Sequence, residues 1–473
     1  MTPAFATQSY KHDSLPLSAQ NVINLYGEIQ PKGTKAQVAL LEPPGIIEAA
    51  TLGSGPVRGL HVLDGVLYAT SGGSLYSIAS NHTTTELGGV ISGTNVVSMD
   101  DNGAEVGIVN GVNGYIYSAA SGFQLITDAA YNPSDTIAYL DGFFLHNRAG
   151  TGEFFRSDSL AGTVYDSTAF ATAESKSDDL LSVYNHKQLL YAGGKKTIEI
   201  WHNANAANFP FQRISGATIE RGLAGSFAIT DEDETPFILG DNRIAYRIGG
   251  RSLRKISTPA IDKTWQNYGT VEDVICFAYV WGGHTFICYT FPHIAATFVY
   301  DVATQLWHER RSHDRTGNDL GRWRVNCVAT AYGRTYVGDA FSGKLGYLDS
   351  STYTEFGDQI RGEAVSAPMF DPQGRNISMP WFEADIETGV GLTSGQGEDP
   401  QIMLSISDDG GRNFDAPETW RSMGKKGEYA NSSHQVRWDR LGRFYNRHLK
   451  LVITDPVPRR IFGYRTPDMR VGV

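Results

Sequence analysis

A chain of 473 residues that sets 40 Lys and Arg against 51 Asp and Glu carries a formal charge of -11, whereas a protein that gripped nucleic acid by its phosphates would show a basic face. Its 52 Gly, 23 Tyr and 22 Phe, with no long segment of 3.6-residue apolar period, exclude a helical bundle and read as nearly all-β, long enough for one large domain and one small one. The longest apolar run, Val274 to Trp281, is far too short to cross a bilayer, so no membrane span is expected.

Taken in chain order, the first twenty residues lack the basic start and apolar core of a secretory signal. Residues 1–50 carry turn signals and short apolar runs, and predict an extended arm that closes the structure ahead of it or reaches a neighbouring subunit. From Val62 the chain reads VLDGVLYATSGGSLYSI. Asp64-Gly65 and Gly72-Gly73 supply the positive φ angles of tight hairpins between strands rich in Leu and Tyr. The unit returns at Tyr139, with Asp141-Gly142 at its first turn, and at Val183, with Gly193-Gly194 at its second; looser copies begin near Val96, Phe227, Val274 and Val325. With starts at Val57, Ile137 and Leu181 this makes seven, spaced by roughly 40 to 50 residues, the period of a four-stranded propeller blade. A β-propeller of about seven blades is therefore expected over residues 51–374.

After Met369 the sequence MFDPQGRNISMPWF breaks the pattern, and alternating strands such as PQIMLSISDDGG and HLKLVITDPVP predict a C-terminal β-sandwich-like domain over residues 375–473. Charge divides at the same place. From Arg375 onward there are 14 basic and 13 acidic residues, which leaves 26 basic and 38 acidic before it, so the negative excess belongs to the propeller. Cys276, Cys288 and Cys327 form an odd set without metal-ligand spacing and read as buried apolar side chains of a protein folded in a reducing compartment.

Three stretches invite a functional reading. SISDDGGRNF fits an Asp-box turn through Ser407, Asp409, Gly411 and Phe414, with Asn413 where Thr is usual; its carboxylate is expected to hold backbone amides while the aromatic packs beneath. A glycan-cleaving propeller would add further boxes and a pair of acids in a cleft, and the motif stands alone outside the blades. Asp231 to Glu234 offers four carboxylates but lacks the spacing of a calcium loop, so a solvated turn is the plainer reading. HERRSHDRTGNDLGRWR, from His308, groups Arg310, Arg311, Arg315, Arg322 and Arg324 about Trp323, the composition of an interface anchor, against the competing reading of a charged loop. His308 and His313 have no further ligand nearby. No P-loop, nucleophile elbow or motif-placed acid/base pair occurs, so no catalytic, cofactor or metal site is expected.

The order LEPPGIIEAATLGSGPVRGLHVLDGVLYATSGGSLYSI, KKTIEIWHNANAANFPFQRISGATIERGLAGSFAI, ISMPWFEADI, MLSISDDGGRNF and WDRLGRFYNRHLKLVITDPV resembles the packaged-DNA stabilisation proteins, the tail hub or nozzle subunits, of lambdoid short-tailed bacteriophages, over Leu41 to about Val457. That resemblance implies a non-enzymatic virion component without cofactors, assembled in the host bacterial cytoplasm. It implies a six-fold homo-oligomeric ring below the portal and adaptor ring that continues the DNA channel, helps retain the genome and docks the tail plug or needle and the spikes or fibres. Duplex DNA would pass through without sequence-specific binding, as an acidic subunit permits. A glycan-acting propeller and a protein-binding propeller of WD or Kelch type are the alternatives; the blade signatures of the latter are not seen.

Overall fold

Asp64 and Gly65, at φ of 49° and 73°, fold Val57–Leu63 back on Val66–Ser71. Two successive left-handed residues make the type I′ turn whose twist matches paired strands. The same geometry recurs at Asp141 and Gly142, Lys187 and Gln188, Asp233 and Glu234, Gly282 and Gly283, and Tyr332 and Gly333. The repeat is thus a repeat of backbone conformation, and residues without the usual Gly accept it in two of these turns. The computed structural model describes residues 3–173, 176, 178–415, 418–428, 435–467 and 470–471.

There are seven four-stranded antiparallel blades, at residues 57–89, 98–125, 137–172, 180–213, 229–255, 275–309 and 325–349, and these six turns open all but the second, which turns through Asn102, Gly103 and Ala104. The seventh takes only three strands from its own segment. Its fourth is Gly45–Thr51, paired along Lys344–Asp349, so the N-terminal arm closes the ring. Gly193-Gly194 departs from the expected turn: both glycines belong to the strand Leu189–Gly194, and the chain reverses after them, where Gly194 N donates to Thr197 O at 2.8 Å. Gly193 is needed there because a Cβ would meet Leu223 Cδ1 at 2.4 Å.

Polar latches join the first strands of successive blades. Asp101 takes His61 Nε2 at 2.7 Å, Asp100 accepts Tyr139 N at 2.6 Å, and Thr136 Oγ1 accepts Val183 N at 2.9 Å. Asp231 receives the Tyr184 hydroxyl and lies 2.8 Å from His186 Nδ1, Phe227 O accepts Cys276 N at 2.8 Å, and Val57 O accepts the Asn326 amide at 3.3 Å. Aromatic packing fills the blades: Trp265, on the helix Pro259–Gln266, is fully buried against Tyr289, Phe291, Phe298 and Trp307. Cys276 and Cys288 are buried, and burial pushes both thiols far up from their ordinary range.

The C-terminal part is a sandwich, and the arm is built into both of its layers. Ala19–Ile23 pairs with Gly362–Val365, which continues through Asn446–Ile453 and Gln401–Ser407 to Thr419–Ser422. Tyr26–Ile29 and Val38–Leu41 extend the facing sheet of Ile461–Arg465, Trp381–Ile386 and Arg437–Asp439. Pairing into the sandwich therefore begins at Gly362, ahead of the composition break at 375. Phe5, Val22, Leu25 and Leu40 of the arm share one core with Phe382, Leu404, Trp438 and Leu451.

Asn24 sits where these parts meet. It is fully buried at φ 52°, a left-handed conformation that Asn tolerates. Its amide donates to Arg311 O at 2.8 Å and Arg361 O at 2.9 Å, and its Oδ1 accepts Arg311 N at 3.0 Å. Asn24→Ala leaves three part-buried backbone groups without their partner, which water can reach in part, so a loss of about 1–3 kcal/mol is expected in chemical denaturation. A change below about 1 kcal/mol would show that the junction does not depend on this amide.

Candidate interaction surfaces

The Arg-rich stretch leaves blade six at Trp307–Glu309 and crosses to blade seven through the interior. Arg310 is fully buried, 3.1 Å from Glu355 Oε1 and stacked on Trp323 at 4.1 Å from the ring centroid. Trp323 Nε1 donates to the same Oε1 at 2.8 Å, and the Ser312 hydroxyl donates to Glu355 Oε2. Arg324 grips Asp339 with two contacts of 3.1 Å and Asp358 with one of 2.7 Å, and these carboxylates hold its pKa above the ordinary arginine value despite burial. Arg322 donates Nε to Trp323 O at 3.0 Å and Nη2 to Asn326 Oδ1 at 2.7 Å.

These positions correct the reading of a surface loop for four of the six residues, all of them buried: Arg310, Trp323 and Arg324 face the protein's own interior, where Glu355, Asp339 and Asp358 neutralise the two ion-paired guanidiniums, and Arg322 lies in the wall of a cavity. Arg and Trp are favoured in a buried charged cluster for the same reason as at an interface: planar bidentate pairing and stacking at low dielectric. Arg311 is half-buried and pairs with Glu309 at 2.8 Å and Asp319 at 3.4 Å, while Arg315 is exposed. His308 is buried beside this cluster, and burial, with Arg310 adding to it, pulls its pKa down to about 3, so it stays neutral.

The Asp-box stretch forms the turn after Gln401–Ser407. Asp409 Oδ1 accepts the amides of Arg412 and Asn413 at 3.0 Å each and the Ser407 hydroxyl at 2.7 Å, and the Asn413 side-chain amide donates to Oδ2 at 2.7 Å. Asn413, where Thr is usual, thus gives the carboxylate both its main-chain and its side-chain amide. Gly411, at φ 83°, lies against the arm, where a Cβ would come within 2.3 Å of Ala19 Cβ. Phe414 is half-buried, with Lys450 Nζ 4.9 Å from its ring centroid.

Within the acidic propeller, the first-strand latches gather His61, Asp100 and Asp101, with one ligand atom of each lying within 4.8 Å of the others. Burial raises Asp100 to about 6, while the His61 hydrogen bond lowers Asp101. Sequence reasoning missed this group because its members come from different blades; the usable signal was their place just ahead of a blade's first turn. In the Asp231 to Glu234 run, Asp231 is a blade latch, and Asp233 and Glu234 form the turn itself.

A ring of seven sheets fused to a sandwich, with its arginine cluster neutralised from within, defines a structural protein of the β-propeller and β-sandwich class. The chain belongs to the Bacteriophage P22 Gp10 family: the model of that family's β-propeller matches residues 8–353 and the model of its β-sandwich residues 364–466. It is accordingly a non-catalytic virion protein of the phage tail hub, extending the DNA channel. No curated protein matches the chain. Similar solved structures include the computationally designed Ika8 protein, 12% identical with a TM-score of 0.37 over 70% of this chain and 99% of that one. BamB from Moraxella catarrhalis is 11% identical with a TM-score of 0.38 over 68% and 93%, and PorZ of Porphyromonas gingivalis 12% identical with 0.39 over 69% and 42%. At TM-scores below 0.5 these likenesses bear on neither fold nor function.

Glu355→Gln leaves Arg310 buried without a counter-charge and is expected to cost about 3–5 kcal/mol, whereas Arg315→Ala should stay within about 0.5 kcal/mol; urea denaturation of the two variants compares them. The Asp409 pKa is lowered by the Asn413 amide first, then by Ser407 and the Asn413 side chain. A depressed folded pKa contributes stability that is present above the unfolded value near 4 and lost as pH falls below it. Melting curves of the parent should therefore fall toward those of Asp409→Asn as pH drops below about 4, and parallel curves through that range would remove Asp409 from the turn's energetics.

Proposed function

We propose that six copies of this chain form a ring beneath the portal and its adaptor ring, carry the DNA channel onward, help retain packaged DNA, and present sites to the tail plug or needle and to spikes or fibres. Family membership supports this reading and is the observation that carries it. The closed propeller, with its arm woven into both domains, supports the role of a stiff spacer. In this reading residues 1–50 act as the tie between the propeller, whose last blade ends at Asp349, and the sandwich, whose strands begin at Gly362. The Asp409 turn serves only to brace the sandwich against the arm, and Arg311 and Arg315 are the members of the arginine loop left to meet a neighbouring subunit or ring.

The acidic propeller supports a channel through which DNA slides. Each phosphate contact adds affinity and about 0.9 to the slope of log K against log salt, so a conduit favours few of them. Assembled with its adaptor ring and viewed by electron microscopy, the protein should give a six-fold ring coaxial with the adaptor; a different symmetry or no association would overturn the assignment. Purified protein should bind duplex DNA weakly with a slope near zero, and tight binding with a steep slope would contradict a low-friction channel. Replacing Arg311 and Arg315 by Ala should leave melting unchanged and weaken ring assembly.

A further inference from the structure

Where the first strands of five blades begin, the segments leading into them, with the turns at Pro292 and Phe341, line an open-mouthed cavity of about 360 Å³. Its wall carries three carboxylates, Asp135 ahead of blade three and Glu272 and Asp273 ahead of blade six. Among the described residues none of the three forms a close ion pair, although Asp273 interacts at longer range with Arg322 and Glu272 with Lys195. Asp273 uses Oδ2 to accept His293 N at 2.6 Å, but its Oδ1 is fully buried with no partner. Asp135 has only a 3.4 Å contact from the Asn147 amide, and burial raises its pKa. Asp135 and Asp273 are half-buried and Glu272 is exposed, so of the three only the Asp273 Oδ1 is a buried acceptor that has yet to find a donor.

One positive side chain shares the wall. Arg322, 6% exposed, directs Nε and Nη2 to Trp323 O, Val325 O and Asn326 Oδ1, leaving Nη1 as the donor it can offer to the cavity. Three carboxylates against one guanidinium leave the lining negative, so the cavity's complement is a cation. Val96, Phe227, Ile275 and the 51%-exposed Phe341 supply apolar wall for a hydrocarbon stem. A cationic head on an aliphatic stem, with an acceptor placed for a guanidinium donor, is the description of a lysine residue within a polypeptide: ammonium, methylene chain and main-chain carbonyl.

We propose that this axial cavity receives a lysine side chain of a partner polypeptide, the ammonium held by Asp135 and Asp273, the stem against Phe341, and Arg322 donating to the partner's backbone. The proposal stands on the cavity and is independent of the tail assignment. Calorimetric titration of the full chain with Nα-acetyl-lysine methylamide tests it, with the norleucine analogue as the uncharged isostere and cadaverine as the free amine. The lysine derivative should bind saturably and more weakly in high salt, the norleucine analogue should not bind, and cadaverine should bind less tightly. Asp273→Asn and Asp135→Asn should each weaken binding about tenfold or more without lowering the melting temperature. Because Asp273 also holds His293 N, Phe341→Ala, at an exposed position, provides a variant whose fold is not at stake and which should weaken binding too. Absence of saturable heat, equal binding of the norleucine analogue, or affinity unchanged in the folded variants would overturn the site. Cadaverine binding as tightly as the lysine derivative would overturn its assignment to a polypeptide.

Discussion

Everything at the junction of the two domains turns on one carboxylate and one amide that are out of reach of water. Glu355 accepts from Arg310, Trp323 and Ser312, and Asn24 ties the backbone of Arg311 to that of Arg361. In low dielectric these contacts are strong when complete and costly when any member is missing. The Glu355 set locks the segment between blades six and seven to the strand-pairing segment that follows blade seven, and Asn24 ties that locked loop to Arg361, next to the first strand of the sandwich.

The arm adds a second level to the same constraint. Its strands enter blade seven and both sandwich layers, and its side chains Val22, Leu25 and Leu40 join the sandwich core. A tail hub protein that extends the DNA channel needs stiffness along the chain as well as within each domain. Both the latches between blades and the arm serve that end. The Asp409 turn, pressed against Ala19 through Gly411, braces the arm from its far side.

Much of the architecture could be read from turn residues. Asp64-Gly65 and Asp141-Gly142 announce type I′ hairpins, and the seven starts from Val57 to Val325 fall at or within a few residues of the blades' first strands. Lys187-Gln188 and Asp233-Glu234 adopt the same turn without Gly, which residue identity could not reveal. The arginine stretch misled for a different reason. Its composition was informative, but the partners that bury it, Asp339, Glu355 and Asp358, lie beyond the loop, and only the fold brings them to it. The same holds for the lining of the axial cavity and for His61 with Asp100 and Asp101: each group is assembled from several blades, and no local pattern encodes the assembly.

The strand that completes blade seven is made early, and the three it joins are made last of the propeller. On a ribosome, Gly45–Thr51 emerges long before Lys344–Asp349 exists, so the ring stays open for most of its synthesis. Each earlier blade can close on local contacts, but the seam depends on a contact of very high sequence separation, which carries a large loop-closure cost and forms late. Until then the edge of Gly45–Thr51 and the apolar faces of its neighbours are exposed to other nascent chains. The unfinished chain is thus most vulnerable to pairing with its own kind, and that hazard ends only when the seam closes within each chain.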